Sequence, residues 1–268
     1  MRGNPRDLRD LLLHREDSRL SRHAGTLWTA VLFLALSLGC TALLGGSAAL
    51  SKGGWESVWH YREVFFRGWL LTIGLSVTAL VASLLIGGLS AMMRRSRILP
   101  LRSLAVLHVE LVRGTPLLAQ ILFLYYAVAN TLGLQDRLVA GVLILSLFSG
   151  AYLSEMLRAG IDSVPPPQLE SARAVGFTPF QTYRFVILPQ ALRNILPPLA
   201  GQFASLIKDS SLLSIIGIGE FTLAAQQVNS ATYRTLESYL PLAVGYLVLT
   251  LPVSLLSRHL EQRLRHAD

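Results

Sequence analysis

Cysteine is almost absent. Cys40 is the only one in 268 residues, so no disulfide can close within the chain and no cysteine-based zinc site can be built. Inside an apolar run it reads as a buried, inert thiol. Lysine is nearly as rare: among 24 basic residues only Lys52 and Lys208 are lysines. Charge of either sign is thin, at 15% of residues, where a soluble domain carries about a quarter. There is no G-x-x-x-x-G-K-[ST] loop to cradle phosphates, no H-E-x-x-H pair among the six histidines and no G-x-S-x-G elbow. A nucleotide, a metal and a hydrolytic nucleophile therefore have no evident place here, and the chain is not expected to be an enzyme.

What is present is apolar. The chain is 52% hydrophobic with a mean hydropathy of +0.48, which points to an all-α polytopic membrane protein. The net charge of +8 invites a nucleic-acid reading, but a basic groove needs its charges gathered on one soluble face. Here the arginines flank apolar runs, so no nucleic-acid partner is expected. Six runs approach the roughly 20 residues needed to cross a bilayer: 27–50, 69–93, 116–132, 138–162, 191–218 and 239–256. The third is short and is extended backwards by the half-amphipathic 101–112. The fifth is broken by Pro197, Pro198 and Gly201.

Arginine in short loops sets orientation. Residues 1–26, the Arg94/Arg95/Arg97/Arg102 group, the 165–189 segment and the 257–268 tail fall on one side, so both termini are expected in the cytoplasm. The leader 1–26 is too long and too acidic for a signal peptide and reads as a cytoplasmic tail. The external loop 51–68 carries Trp55, Trp59, Tyr61 and Phe65, an interfacial amphipathic pattern in contact with lipid.

The polar stretch 165–189 stands out. Pro166 or Pro167 suits a first helical position, and Gly176 can end that helix in the left-handed conformation. Thr178-Pro179-Phe180-Gln181 restarts a helix with a capping box, and Pro189 disturbs it. Two short helices meeting at a glycine corner make a protrusion, with small side chains that let another surface approach and Glu170 to orient it. A soluble partner is implied.

These residues resemble the signature of membrane-spanning subunits of bacterial ABC importers: Glu-Ala-Ala, three residues, Gly, nine residues, Ile-x-Leu-Pro. Glu170, Ala172, Gly176, Leu188 and Pro189 match, while Ser171 replaces the first Ala and Val186 the Ile. The blocks VELVRGTPLLAQILFLYYA and LPQALRNILPPLAGQFASLIKDSSLLSIIGIGE are similar to the polar amino acid permease branch, and the likeness covers roughly 69–256. It implies a type I importer core of five helices within 69–256, with 27–50 as one extra N-terminal helix, six transmembrane helices in all. It also implies that 165–189 is a cytoplasmic coupling element built on Glu170, Ser171, Ala172, Gly176, Leu188 and Pro189. The implied partners are an ABC ATPase holding ATP and Mg, a second permease subunit, identical or homologous, an external solute-binding protein and an amino acid substrate. The implied location is the bacterial inner membrane. The extra helix either regulates, binds lipid or locks the tail inside.

Charges within apolar runs are costly and begin as functional candidates. Lys208 and Asp209 are adjacent, so they cannot face each other on a helix; they line a substrate pathway or pair with neighbouring helices. Glu155 and Arg158, at i and i+3, form a structural pair, an inner gate or a substrate contact. Arg113, Gly114, Thr115 and Pro116 make a helix break, with Glu110 spaced to pair with Arg113. Tyr125 and Tyr126 belong to a pathway or to the outer interface. Two other classes compete: an ion-driven transporter, which would need internal repeats that are not evident, and a membrane sensor, which would have no reason to keep the coupling signature.

Overall fold

The computed structural model describes residues 52–265, so the tail 1–26, the run 27–50 and Cys40 lie outside the described residues. The chain divides into two units, 1–57 and 58–268. Of the first, only 52–57 are described, the beginning of α1 (Lys52–Trp59). In the second unit the helices are α2 (Arg62–Arg94), α3 (Leu99–Gly114), α4 (Leu117–Leu122), α5 (Arg137–Asp162), α6 (Pro166–Ala174), α7 (Pro179–Thr182), α8 (Leu188–Asp209), α9 (Phe221–Thr232) and α10 (Thr235–Arg265). A π-helical turn, Phe123–Ala129, prolongs α4, and another, Tyr183–Ile187, joins α7 to α8; a 3-10 segment, Ser210–Ile216, prolongs α8. No strand occurs among the described residues.

Among the described residues three helices, Arg62–Arg94, Arg137–Asp162 and Thr235–Gln262, are long and apolar enough to cross a membrane. Two bent pairs raise the number to as many as five if each counts as one span. The architecture is all-α, and the core of the bundle is the pairing of α2 with α5. Small residues let these helices approach closely, as membrane interfaces favour. A Cβ on Gly87 would stand 2.7 Å from the Leu153 Cβ and 2.8 Å from the Gly150 carbonyl oxygen. Ser146 donates to the Ala79 carbonyl at 3.3 Å, so the two helices run in the same direction. α8 returns antiparallel to α5, with Ile195 against Gly160 and Gln202 donating to Ser149 at 3.4 Å. α10 lies along α8, where the Ser257 hydroxyl donates to the Pro197 carbonyl at 2.8 Å.

Proline breaks the helix as expected at Pro116 and behaves differently from expectation at Pro189 and at Pro197 and Pro198. The break expected at Arg113–Pro116 is sharp: α3, which holds the 101–112 segment, and the helix after it meet at 117° across Thr115 and Pro116. Proline removes the donor that would have bonded the Val112 carbonyl, and the Gln120 amide supplies it instead, at 2.8 Å, while also donating to the Thr115 carbonyl at 3.1 Å. The expected break at Pro197 and Pro198 is absent, because α8 runs through both. Neighbouring α5 and α10 hold it in line, and a membrane helix tolerates proline where its surroundings do so. Pro189 does not end the helix begun at Pro179 either; the π-helical turn immediately before it absorbs the missing donor and the chain continues as α8. The stretch between the expected runs 191–218 and 239–256 contains α9, and α2 begins at Arg62, ahead of the expected Trp69.

Candidate functional site

The glycine corner forms as its residues dictate. Pro166 opens α6, and Gly176 ends it at φ +85°. The Gly176 N–H donates to the Arg173 carbonyl at 2.9 Å and the Phe177 N–H to the Ala172 carbonyl at 3.0 Å, the paired bonds of a Schellman motif. Thr178 then caps α7: its hydroxyl accepts from the Gln181 N–H at 3.3 Å, and the Gln181 side chain accepts from the Thr178 N–H at 2.8 Å. Ala172 is buried under this corner, whereas Glu170 and Ser171 are exposed. Val175 and Phe180, each 76% exposed, project from it. Between α6 and the π-helical turn lies an open, apolar cavity of about 370 Å³ lined by Pro167, Ser171, Ala172, Val175, Phe177 and Val186. Gln190 donates to Gln168, and Asn194 donates to Ser163 at 2.7 Å, so the start of α8 braces the protrusion. Leu188 and Pro189 belong to this brace, at the first turn of α8.

Directly above the protrusion, the ends of α2, α3 and α5 meet in a charge network. Glu155 pairs with Arg158 at 2.8 Å, as their spacing predicts. It also accepts from Arg94, 61 residues away, and forms a looser ion pair with Arg113 at 3.6 Å. Arg113 therefore reaches Glu155 and not Glu110. Asp162 continues the network to Arg95 at 2.7 Å and Arg158 at 3.2 Å. Gly114, Thr115 and Pro116 lie exposed at the bend beside it. Joining three helix ends in this way is a means of fixing or releasing their relative positions.

Lys208 and Asp209 lie elsewhere. α8 passes Gly160 at Ile195 and Ser149 at Gln202, so Lys208 is about 9 Å further along, away from Glu155 and Arg158. The four charged candidates thus do not form one group. Lys208 is exposed and Asp209 half-buried, and neither makes an ion pair with a described residue.

The residue that sequence reasoning missed is Glu220. It is fully buried and caps α9 through the N–H groups of Thr222 and Leu223, both at 2.9 Å. Tyr246 of α10 donates to it at 2.9 Å, and Thr72 of α2 approaches at 3.5 Å. The neighbouring Gly217, at φ +78°, turns the chain into this position. The available signal was an acid placed directly before a helix, the ordinary signature of an N-cap. Among the described residues no group of three or more His, Cys, Asp or Glu side chains could hold a metal.

With this geometry in view, comparison with known proteins is specific. Residues 83–266 match the family described as binding-protein-dependent transport system inner membrane component. The chain is 35% identical over 214 residues to the glutamine transport system permease protein GlnP of Escherichia coli K12, covering 79% of this chain and 97% of that one. It is 37% identical over 203 residues to a probable glutamine ABC transporter permease protein, GlnM, of Bacillus subtilis 168, covering 75% and 94%. In three dimensions it resembles the crystal structure of an amino acid ABC transporter with histidines, with a TM-score of 0.73 and 38% identity over 78% of this chain and 98% of the other. An inward-facing methionine ABC transporter, MetNI, shares the fold at 18% identity, with a TM-score of 0.59 over 80% of this chain and 99% of that one. The chain therefore belongs to the family of binding-protein-dependent transport system inner membrane components, and its fold is that of an ABC transporter permease.

Proposed function

We propose that this chain is the membrane-spanning subunit of an ATP-driven importer of polar amino acids in a bacterial inner membrane, with both termini cytoplasmic. The observation that carries the reading is the rigid glycine corner: a protrusion with exposed apolar tips and an apolar cavity, projecting from the end of a membrane-helix bundle that is ringed by arginine. Relatives named as glutamine permeases support the substrate class.

In this reading 165–189 docks on a separate ATPase, which holds ATP and Mg. Glu170 orients the contact; Ser171 and Ala172 permit close approach; Leu188 and Pro189 carry motion into α8. The six-helix layout places 27–50 as an added helix before a 51–68 external loop and a 69–256 core, with 257–268 as a cytoplasmic tail. A second permease subunit completes the pathway, and an external binding protein delivers substrate. Lys208 and Asp209 supply a cation and an anion to match an amino acid's carboxylate and ammonium. Glu155 and Arg158 act as an inner gate. Lipid covers the apolar outer surface.

The experiment is co-purification of ATP hydrolysis with the tagged chain from native membranes, for the natural sequence and for Glu170→Ala. Hydrolysis that follows the natural chain and is lost from a folded Glu170→Ala variant is expected. A folded natural chain that carries no hydrolysis overturns the reading.

A further inference from the structure

Where α2 gives way to α3, the elbow 94–102 holds more positive charge than its described neighbours neutralise. Among the described residues, Arg94, Arg95, Arg113 and Arg158 share only two carboxylates, Glu155 and Asp162. Arg97 and Arg102 add two further guanidinium groups, both exposed, and neither makes an ion pair or side-chain hydrogen bond with a described residue. Large apolar side chains stand among them: Met92 is 74% exposed, Leu99 71% and Leu104 59%. Free guanidinium groups beside exposed aliphatic chains, at the end of a membrane-crossing helix, match the border between hydrocarbon and headgroups. An acidic protein surface would satisfy the arginines but leave these aliphatic chains in water.

We propose that the elbow docks one anionic phospholipid, with its phosphate held by Arg97 and Arg102 and its acyl chains against Met92, Leu99 and Leu104. This rests on α2 crossing a membrane and not on the substrate or the ATPase. The site is coupled to the protrusion by a short path: Arg95 pairs with Asp162, the last residue of α5, and α6 begins four residues later at Pro166. A bound headgroup adds negative charge to the arginine-rich side of that junction and fixes the elbow to which α5 is tied.

The test is retention of phosphatidylglycerol by the purified full-length chain, read by native mass spectrometry against phosphatidylcholine. The natural chain is compared with the Arg97→Gln/Arg102→Gln and Arg97→Lys/Arg102→Lys double variants. Preferential retention is expected, falling on the order of tenfold in the glutamine variant and largely preserved in the lysine variant, since each surface cation contributes separately. Retention should also fall as salt rises. The proposal is overturned by equal retention in the glutamine variant, by no salt dependence in the natural chain, or by displacement of the lipid with inorganic phosphate, which would mark a site for free anion. Should the glutamine variant fail to fold, Arg102→Gln alone and the salt series on the natural chain decide. Lost ATPase co-purification with lipid retention intact would assign the elbow to a protein partner and also overturn it.

Discussion

The hydroxyl of Tyr246 donates to the Glu220 carboxylate at 2.9 Å, joining α10 to the residue that caps α9, while Thr72 of α2 both approaches that carboxylate and accepts from the Phe221 N–H at 3.1 Å. One buried acid thus ties the consecutive α9 and α10 to the distant α2. Glu220→Ala strips a cap and removes the carboxylate that Tyr246 and Thr72 share, leaving the tyrosine hydroxyl with Thr222 at 3.0 Å, a loss of about 2–4 kcal/mol, whereas Tyr246→Phe removes a single donor at about 1 kcal/mol. Thermal denaturation in detergent should rank them in that order. Equal shifts would mean that Glu220 is no hub.

Gly176→Val places a β-branched side chain at φ +85°, where it is strained by about 1–2 kcal/mol, and so tilts α7 away from α6. Uptake driven by ATP should collapse while the assembled complex still hydrolyses ATP. Gly88→Ala provides the control: a Cβ there meets nothing within 4 Å, and transport should be unchanged. Normal uptake by Gly176→Val would remove the corner from the coupling reading.

Glu155→Gln leaves Arg94, whose side chain is only 17% exposed, without its carboxylate and the network without its centre. A loss of about 2–3 kcal/mol is expected. Arg113, at 3.6 Å and 46% exposed, belongs to the screened rim, so Arg113→Gln should cost under about 1 kcal/mol. The same denaturation assay reads both, and an Arg113 effect as large as that of Glu155 would contradict this division.

Gln120→Leu keeps the side chain's bulk and removes the donor that serves the Val112 and Thr115 carbonyls. The bend should loosen, with a stability loss of about 1–3 kcal/mol. Spin labels placed on α3 and on the helix after Pro116 should then show a broader distance distribution. An unchanged distribution would show that Pro116 holds the angle unaided.

Local chemistry is legible in the residues themselves. The corner at Gly176 and the capping box at Thr178 depend on residues within a few positions of one another, and the helix does stop and restart at these places. The apolar runs among the described residues likewise become helices, because length and hydropathy are properties of a segment. Pro189, Pro197 and Pro198 mislead for the converse reason: whether a missing donor breaks a helix depends on what lies beside it. Ser257 and a π-helical turn are not visible from the prolines themselves.

By itself, the sequence determined an all-α chain of membrane-crossing helices, a polar protrusion with a set corner and a net positive charge gathered at helix ends. These follow from propensity, capping and the cost of placing backbone and charge in hydrocarbon, all of which act over a few neighbouring residues. Tertiary structure alone decided that Glu155 gathers Arg94 and Arg113, that Lys208 and Asp209 stand apart from that cluster, and that Glu220 ties three helices together. These choices depend on which helix lies beside which, and that is set by close packing at small residues such as Gly87 and Gly150, whose partners are distant in the chain.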